Sequence, residues 1–279
     1  MKKYIFMRFP GGKPKAFTLS YDDGVVEDVR FIETCDKYGL KATFNLNADL
    51  YAPDENTLSF GTHRRLTKAA ASELYNKNGH EVATHGFTHP WLEKLSPANV
   101  IYEILKDRES LEEQFGTIVN GHAYPYGTYN DTVVECLKNC GIVYARTVKP
   151  THAFEIPTDW LRLNPTCHHD DARSIELSKS FVSLKTEAPK LFYMWGHTYE
   201  FTDKNNWEHF EEIAEIISGK DDIWYANNIS IYNYVEAYRS LVFSSDMTKV
   251  YNPSALDIWF VCNSKEYMVK SGETVKIDK

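Results

Sequence analysis

Apolar residues in this chain fall into short runs, each ended by turn-forming or polar residues, and the runs alternate with longer stretches of helical period. Runs at 15–21, 42–46, 81–84, 119–124, 143–146, 191–195 and 223–226 predict strands. Between and after them, 25–38, 67–78, 97–115, 130–139, 207–217 and 231–241 predict helices. Gly39 closes the first helix, Thr67, Ser96 and Asn130 offer N-caps to the next three, and Pro97 suits a first helical position. Strand–helix alternation of this kind predicts an α/β domain around a largely parallel sheet. After Leu241 the pattern changes to short β-prone runs at 256–261 and 266–277, with Ser271-Gly272 as a turn. The chain therefore divides into one large domain over 1–241 and a small β appendage over 242–279.

Composition narrows the class of partner. The 279 residues carry a net charge of −8, which disfavours sequence-independent binding to nucleic-acid phosphates. No apolar run approaches the ~20 residues of a membrane-spanning helix. The N-terminus opens with two lysines, but the apolar run from Tyr4 to Met7 is too short for a secretory leader and Arg8 and Pro10 interrupt it, which predicts a cytoplasmic protein. The five cysteines are odd in number and form no CxxC pair, as expected of reduced thiols. Cys136 and Cys140, four apart on a predicted helix, read as thiols rather than as a metal pair. Aromatic residues make up 14% of the chain, enough for sugar-stacking surfaces but equally suited to a core.

Chemistry gathers where predicted strands end. Ser20-Tyr21-Asp22-Asp23-Gly24 places two adjacent carboxylates at a strand terminus. Alternation sends them in different directions, so one can hold a metal while the other acts as a base. Taken alone, Asp-Gly is also a common turn. His85 and His89 stand four apart with Gly86 between them, a spacing that lets both meet one ion but lacks the glutamate of HExxH proteases. Tyr124-Pro125-Tyr126-Gly127 forms a rigid turn after another strand, Asp159-Trp160-Leu161-Arg162 is a short polar–aromatic cluster, and the strand at 191–195 delivers His197. The run Thr166-Cys167-His168-His169-Asp170-Asp171 suits a solvated or substrate-contacting loop, and a second metal is the alternative.

In this order the segments resemble the motifs of the polysaccharide deacetylase (NodB-homology) family, carbohydrate esterase family four. Ser20 to Gly24 resembles T-F-D-D-G. His85 and His89 match H-[ST]-x-x-H in spacing, with Gly86 where Ser or Thr is usual. Pro125-Tyr126-Gly127 match R-x-P-Y-G, with Ala123 in place of its arginine. The resemblance covers roughly 15–240. It implies a distorted (β/α) TIM-like barrel of about seven strands and a metal-dependent hydrolase that removes N- or O-acetyl groups from a carbohydrate or similar small substrate. It further implies that Asp23, His85 and His89 hold a divalent ion, most simply Zn²⁺, with Co²⁺ or another divalent ion as alternatives. Asp22 becomes the general base, His197 the general acid, and the backbone N–H of Tyr126 an oxyanion donor. By the same analogy Asp159 is the carboxylate beside His197 and Trp160 walls the site. Arg162 is then the candidate to replace the missing arginine on Asp22. Two other readings are a cyclic amide or ureide hydrolase of the allantoinase-like branch, kept open by Gly86 and Ala123, and a non-catalytic carbohydrate-binding relative, disfavoured by the intact Asp22 and His197.

Overall fold

The computed structural model describes residues 4–75 and 77–278. In chain order its elements are β1 (Ile5–Arg8), β2 (Lys15–Asp22), α1 (Asp28–Tyr38), β3 (Ala42–Leu46), α2 (Lys68–Tyr75), β4 (Glu81–Thr84), α3 (Pro97–Phe115), β5 (Gly121–Ala123), α4 (Asp131–Asn139), β6 (Tyr144–Arg146), β7 (Cys167–His168) and α5 (Ser174–Ser183). They continue with β8 (Lys190–Gly196), α6 (Tyr199–Asp203), α7 (Trp207–Ile217), β9 (Ile223–Tyr225), α8 (Asn228–Arg239), β10 (Val242–Phe243), β11 (Lys249–Tyr251), β12 (Ile258–Cys262), β13 (Lys265–Val269) and β14 (Thr274–Lys276). The caps act as the sequence predicts. Gly39 adopts φ 67° behind α1, the Ser96 hydroxyl accepts the Asn99 N–H, and Asn130 accepts the Val133 N–H.

Seven strands follow the order β6-β5-β4-β3-β2-β8-β7, and β9 pairs with the first half of β2. Every pairing in this sheet is parallel. The result is a curled, distorted (β/α) barrel. Its central strand β2 is buried along its whole length, as expected where both faces of a sheet are covered. One core cluster packs α1 and α7 on the sheet through Phe31, Phe44 and Phe210. A second joins Met7, Phe9, Tyr234, Ile258 and Phe260.

That second cluster changes the picture of the termini. The run at Tyr4–Met7, read from the sequence as too short for a leader, contributes to strand β1 (Ile5–Arg8), and β1 pairs antiparallel with β12. Of the C-terminal strands, β12 and β13 thus form a three-stranded sheet with β1, while β10, β11 and β14 form a second one, and both share apolar packing with α8. The sequence pattern also missed β7, α5 and α6 in the stretch after β6, and β10 and β11 beyond α8. Among the described residues no helix is long and apolar enough to cross a membrane.

Lys15 starts β2 with a side chain that is fully buried. Its Nζ lies 2.9 Å from Asp222 Oδ2 and donates to the carbonyls of Phe181, Val182 and Leu184 at 3.1, 2.9 and 3.4 Å, closing the C-terminal turn of α5. Lys15→Met removes the cation and leaves these acceptors unmet. Urea unfolding should show a loss of about 2–4 kcal/mol; a loss under about 1 kcal/mol would mean that the ion pair does not anchor β2 to α5.

Candidate active site

Because the sheet is parallel, its strands end on one rim, and register decides which side chains meet there. Asp22 pairs with Asn45, Leu46 with Thr84, Ala123 with Arg146 and His168 with Trp195. Asp22 ends β2, His85 follows β4 and His197 follows β8, so the three converge from strands far apart in sequence.

Asp22 is 3% exposed and its carboxylate is fully engaged. Arg146 Nη2 donates to both oxygens at 2.6 and 2.5 Å, and Asn45 Nδ2 donates to Oδ1 at 2.8 Å. Arg146 is itself fully buried and lies over the Trp195 ring at 4.4 Å. Arg162, the sequence-based candidate for this contact, is elsewhere. A short 3-10 turn faces it outward, where it pairs with Asp131 at 2.7 Å and Asp159 at 2.8 Å. The physical reason lies in the sheet. Paired residues on adjacent parallel strands point to the same face about 4.8 Å apart, so a guanidinium from β6 reaches the place one from β5 would occupy. Ala123 leaves the room for it.

Asp23, His85 and His89 form a group that can hold a metal ion, their ligand atoms all lying within 4.8 Å of one another. His85 Nδ1 lies 2.8 Å from the Ala123 carbonyl, which assigns its proton there and leaves Nε2 as the lone-pair donor. Burial, with His89 next, holds the His85 pKa well below the usual imidazole range, and burial also lowers that of His89, so both rings are kept neutral as ligation requires. Asp23 has one oxygen taken by Arg65 Nη2 at 2.8 Å and presents the other, Oδ2, towards His197. These residues therefore fit a divalent ion.

The backbone here is unusual. Asp23, His89 and Tyr126 adopt φ of 81°, 55° and 58°, a left-handed conformation that costs a non-glycine residue roughly 1–3 kcal/mol. Gly86 stands at φ 75°, so the residue that departs from the usual Ser or Thr occupies a position where glycine is at ease. A buried polar scaffold fixes these turns. Arg65 Nη1 donates to the Asp23 carbonyl and to Asn47 Oδ1, and Asn47 Nδ2 donates to the carbonyls of His85 and Gly86, both at 2.6 Å. Asp107 accepts the backbone N–H groups of Ala48 and His85. Sequence reading offered no signal for Arg65, which sits in a polar stretch, or for Asn47 and Asp107.

His197 Nε2 stands 3.8 Å from Asp22 Oδ2 and 3.9 Å from Asp23 Oδ2, and its Nδ1 lies 3.3 Å from Glu200 Oε1. Burial opposes a charge on this ring, but the Glu200 contact and the two aspartates outweigh it and hold the pKa above the usual value. Glu200 thus takes the place that analogy gave to Asp159. Asp159 instead caps the 3-10 turn, accepting the Leu161 N–H at 3.1 Å. Trp160 does not wall the cleft: it packs on Tyr232 in the second core cluster and donates Nε1 to Glu236 at 2.8 Å. Tyr21 is buried against Phe31. Glu200 had a legible signal, an acid three residues beyond His197. A cleft of about 620 Å³ opens beside the centre, lined by Asp23, Phe60, Arg65, His89, Tyr126 and Tyr199. Trp91 stacks on Tyr126 at 4.0 Å.

A curled parallel sheet thus gathers two aspartates and three histidines on its C-terminal rim. Residues 10–145, just under half of the chain, match the polysaccharide deacetylase family. The peptidoglycan-N-acetylglucosamine deacetylase PgdA of Listeria monocytogenes is 28% identical over 123 residues, 43% of this chain and 23% of PgdA. The match thus spans about a quarter of the length of that curated relative. A Mycobacterium smegmatis protein assigned to the polysaccharide deacetylases aligns with a TM-score of 0.57 at 16% identity, over 83% of this chain and 93% of that one. The family 4 carbohydrate esterase from Streptomyces lividans, solved with acetate, aligns at 0.50 and 17%, over 76% and 92%. At these identities the two structures establish the fold.

Arg146 and Arg162 can be told apart by stability. Arg146→Ala strands a buried carboxylate and should cost about 3–5 kcal/mol in urea unfolding. Arg162→Ala removes exposed pairs and should cost under about 1 kcal/mol. Equal losses would refute the assignment of Arg146 as the partner of Asp22.

Proposed function

We propose that this chain is a divalent-metal-dependent hydrolase that removes acetyl groups from a carbohydrate. The observation that carries the proposal is the convergence of Asp22, held by Arg146, with Asp23, His85, His89 and His197 on one rim beside an open, aromatic-lined cleft. Asp23, His85 and His89 would hold the ion, and two imidazoles with one carboxylate suit Zn²⁺, with Co²⁺ as the nearest substitute. When bound, such an ion supplies Lewis acidity to an acyl oxygen and acidifies a water.

The chain's own groups do the rest. Asp22 takes the proton of the attacking water, and Arg146 with Asn45 fixes its orientation. His197, kept protonated with Glu200 behind its Nδ1, turns Nε2 towards the reaction and gives a proton to the leaving amine or alcohol. The Tyr126 N–H, in its left-handed turn, supplies an oxyanion donor. The stacked faces of Trp91 and Tyr126 suit a sugar ring. A cyclic-ureide hydrolase is not favoured, since the relatives found are carbohydrate deacetylases. A pure binding module has no use for a buried Asp–Arg pair beside a histidine.

The test is acetate release from N-acetylated and O-acetylated oligosaccharides before and after chelation. Activity should vanish with chelator and return with Zn²⁺ or Co²⁺; activity that survives complete metal removal refutes the ligand set. Asp22→Asn should keep its metal and lose about 10²–10⁴ in kcat. Loss of metal in that variant would reverse the two aspartates' roles.

A further inference from the structure

We propose a second divalent-cation site, built from His169, Asp170 and Glu200 and separate from the Asp23–His85–His89 group. His168 ends β7, His169 and Asp170 follow it, and Glu200 lies in the first turn of α6. The ligand atoms of these four residues lie within 4.8 Å of one another. Glu200 Oε2 is 3.2 Å from His169 Nε2, and Asp170 Oδ2 is 3.7 Å from the same nitrogen.

His169 points to an ion. It is fully buried, its Nδ1 has no hydrogen-bond partner, and the polar neighbours of its Nε2 are the carboxylates of Glu200 at 3.2 Å and Asp170 at 3.7 Å. A buried polar group in that condition is costly and calls for an explanation. The ring has no freedom to turn. Phe201 stacks on it at 4.1 Å and Tyr21 lies parallel at 5.7 Å. Its Nδ1 rests against Gly196, where a Cβ would come within 2.0 Å. Nε2 is thus held facing the two carboxylates. One imidazole and two carboxylates balance a dication and match the ligand chemistry of Zn²⁺.

Two further contacts define the site. His168 Nδ1 accepts the Asp170 N–H at 3.1 Å, which places the proton on Nε2, 3.1 Å from Glu200 Oε2. His168 therefore positions Glu200 rather than joining the ligands. Lys204, about half exposed, places its ammonium on Asp170 Oδ2. That cation occupies the mouth of the site, so a metal ion must compete with it. This competition separates a metal site from a hydrogen-bond network that only supports the fold.

The experiment uses the untagged full chain carrying His85→Ala and His89→Ala, which silences the other group and makes the outcome independent of the proposed activity. After dialysis against chelator, Zn²⁺ is titrated in and bound ions are counted by native mass spectrometry, with Co²⁺ absorption as the coordination signature. One ion per chain should bind, and adding Asp170→Asn should abolish it. Lys204→Ala, an exposed change that leaves folding intact, should tighten binding several-fold. A folded background variant that binds no ion overturns the proposal. So does an ion retained after Asp170→Asn, or an affinity unmoved by Lys204→Ala.

Discussion

A carboxylate with 3% exposure cannot remain charged without a partner. The idealised cost of moving such an ion from water to protein interior is of order 20 kcal/mol. The Asp22–Arg146 pair meets that constraint, and much of the architecture follows from it. The pair spans 124 residues of sequence and joins the central strand to the far end of the sheet. It exists only because β2 to β6 run parallel and in a register that ends them on the same rim. A one-residue slip in any of those strands would face a partner into the opposite layer.

What the sequence made legible, and what it did not, follows from the same geometry. Asp22, Asp23, His85 and His197 were legible because each lies at or just past the end of an apolar run, positions that a parallel sheet gathers, and His89 was legible by its spacing from His85. Arg146 could not, although its strand was predicted, since its role depends on which strand lies beside which. Asp159, Trp160 and Arg162 were chosen by neighbourhood in sequence, and a 3-10 turn faces them away from the cleft. The strand Cys167–His168 is too short to carry a period, which hid the placement of the histidine pair. Strand β1 was concealed because its four residues are too few to show a strand period.

The rim is held in tension. Left-handed turns at Asp23, His89 and Tyr126 are each unfavourable, and the Arg65–Asn47–Asp107 scaffold offsets them by satisfying backbone groups from behind. Arg65 touches both the backbone and the carboxylate of Asp23, so one side chain shapes the turn and aims that carboxylate. Gly86 eases the strain at one further point.

The chain of paired strands has two ends, β6 and β7, and the short segment from Leu163 to His168 stitches them together. Leu163 bridges to Arg146, and the Thr166 N–H reaches the Tyr193 carbonyl on β8. Arg146 stands on one lip of this seam, while His168 and His169 stand on the other. Asp23, His85 and His89 hang from strands in the unbroken middle. If the seam parted, the guanidinium would leave Asp22 while Asp23, His85 and His89 kept their spacing. The barrel thus separates mechanically the part that would grip an ion from the part that holds the carboxylate beside it.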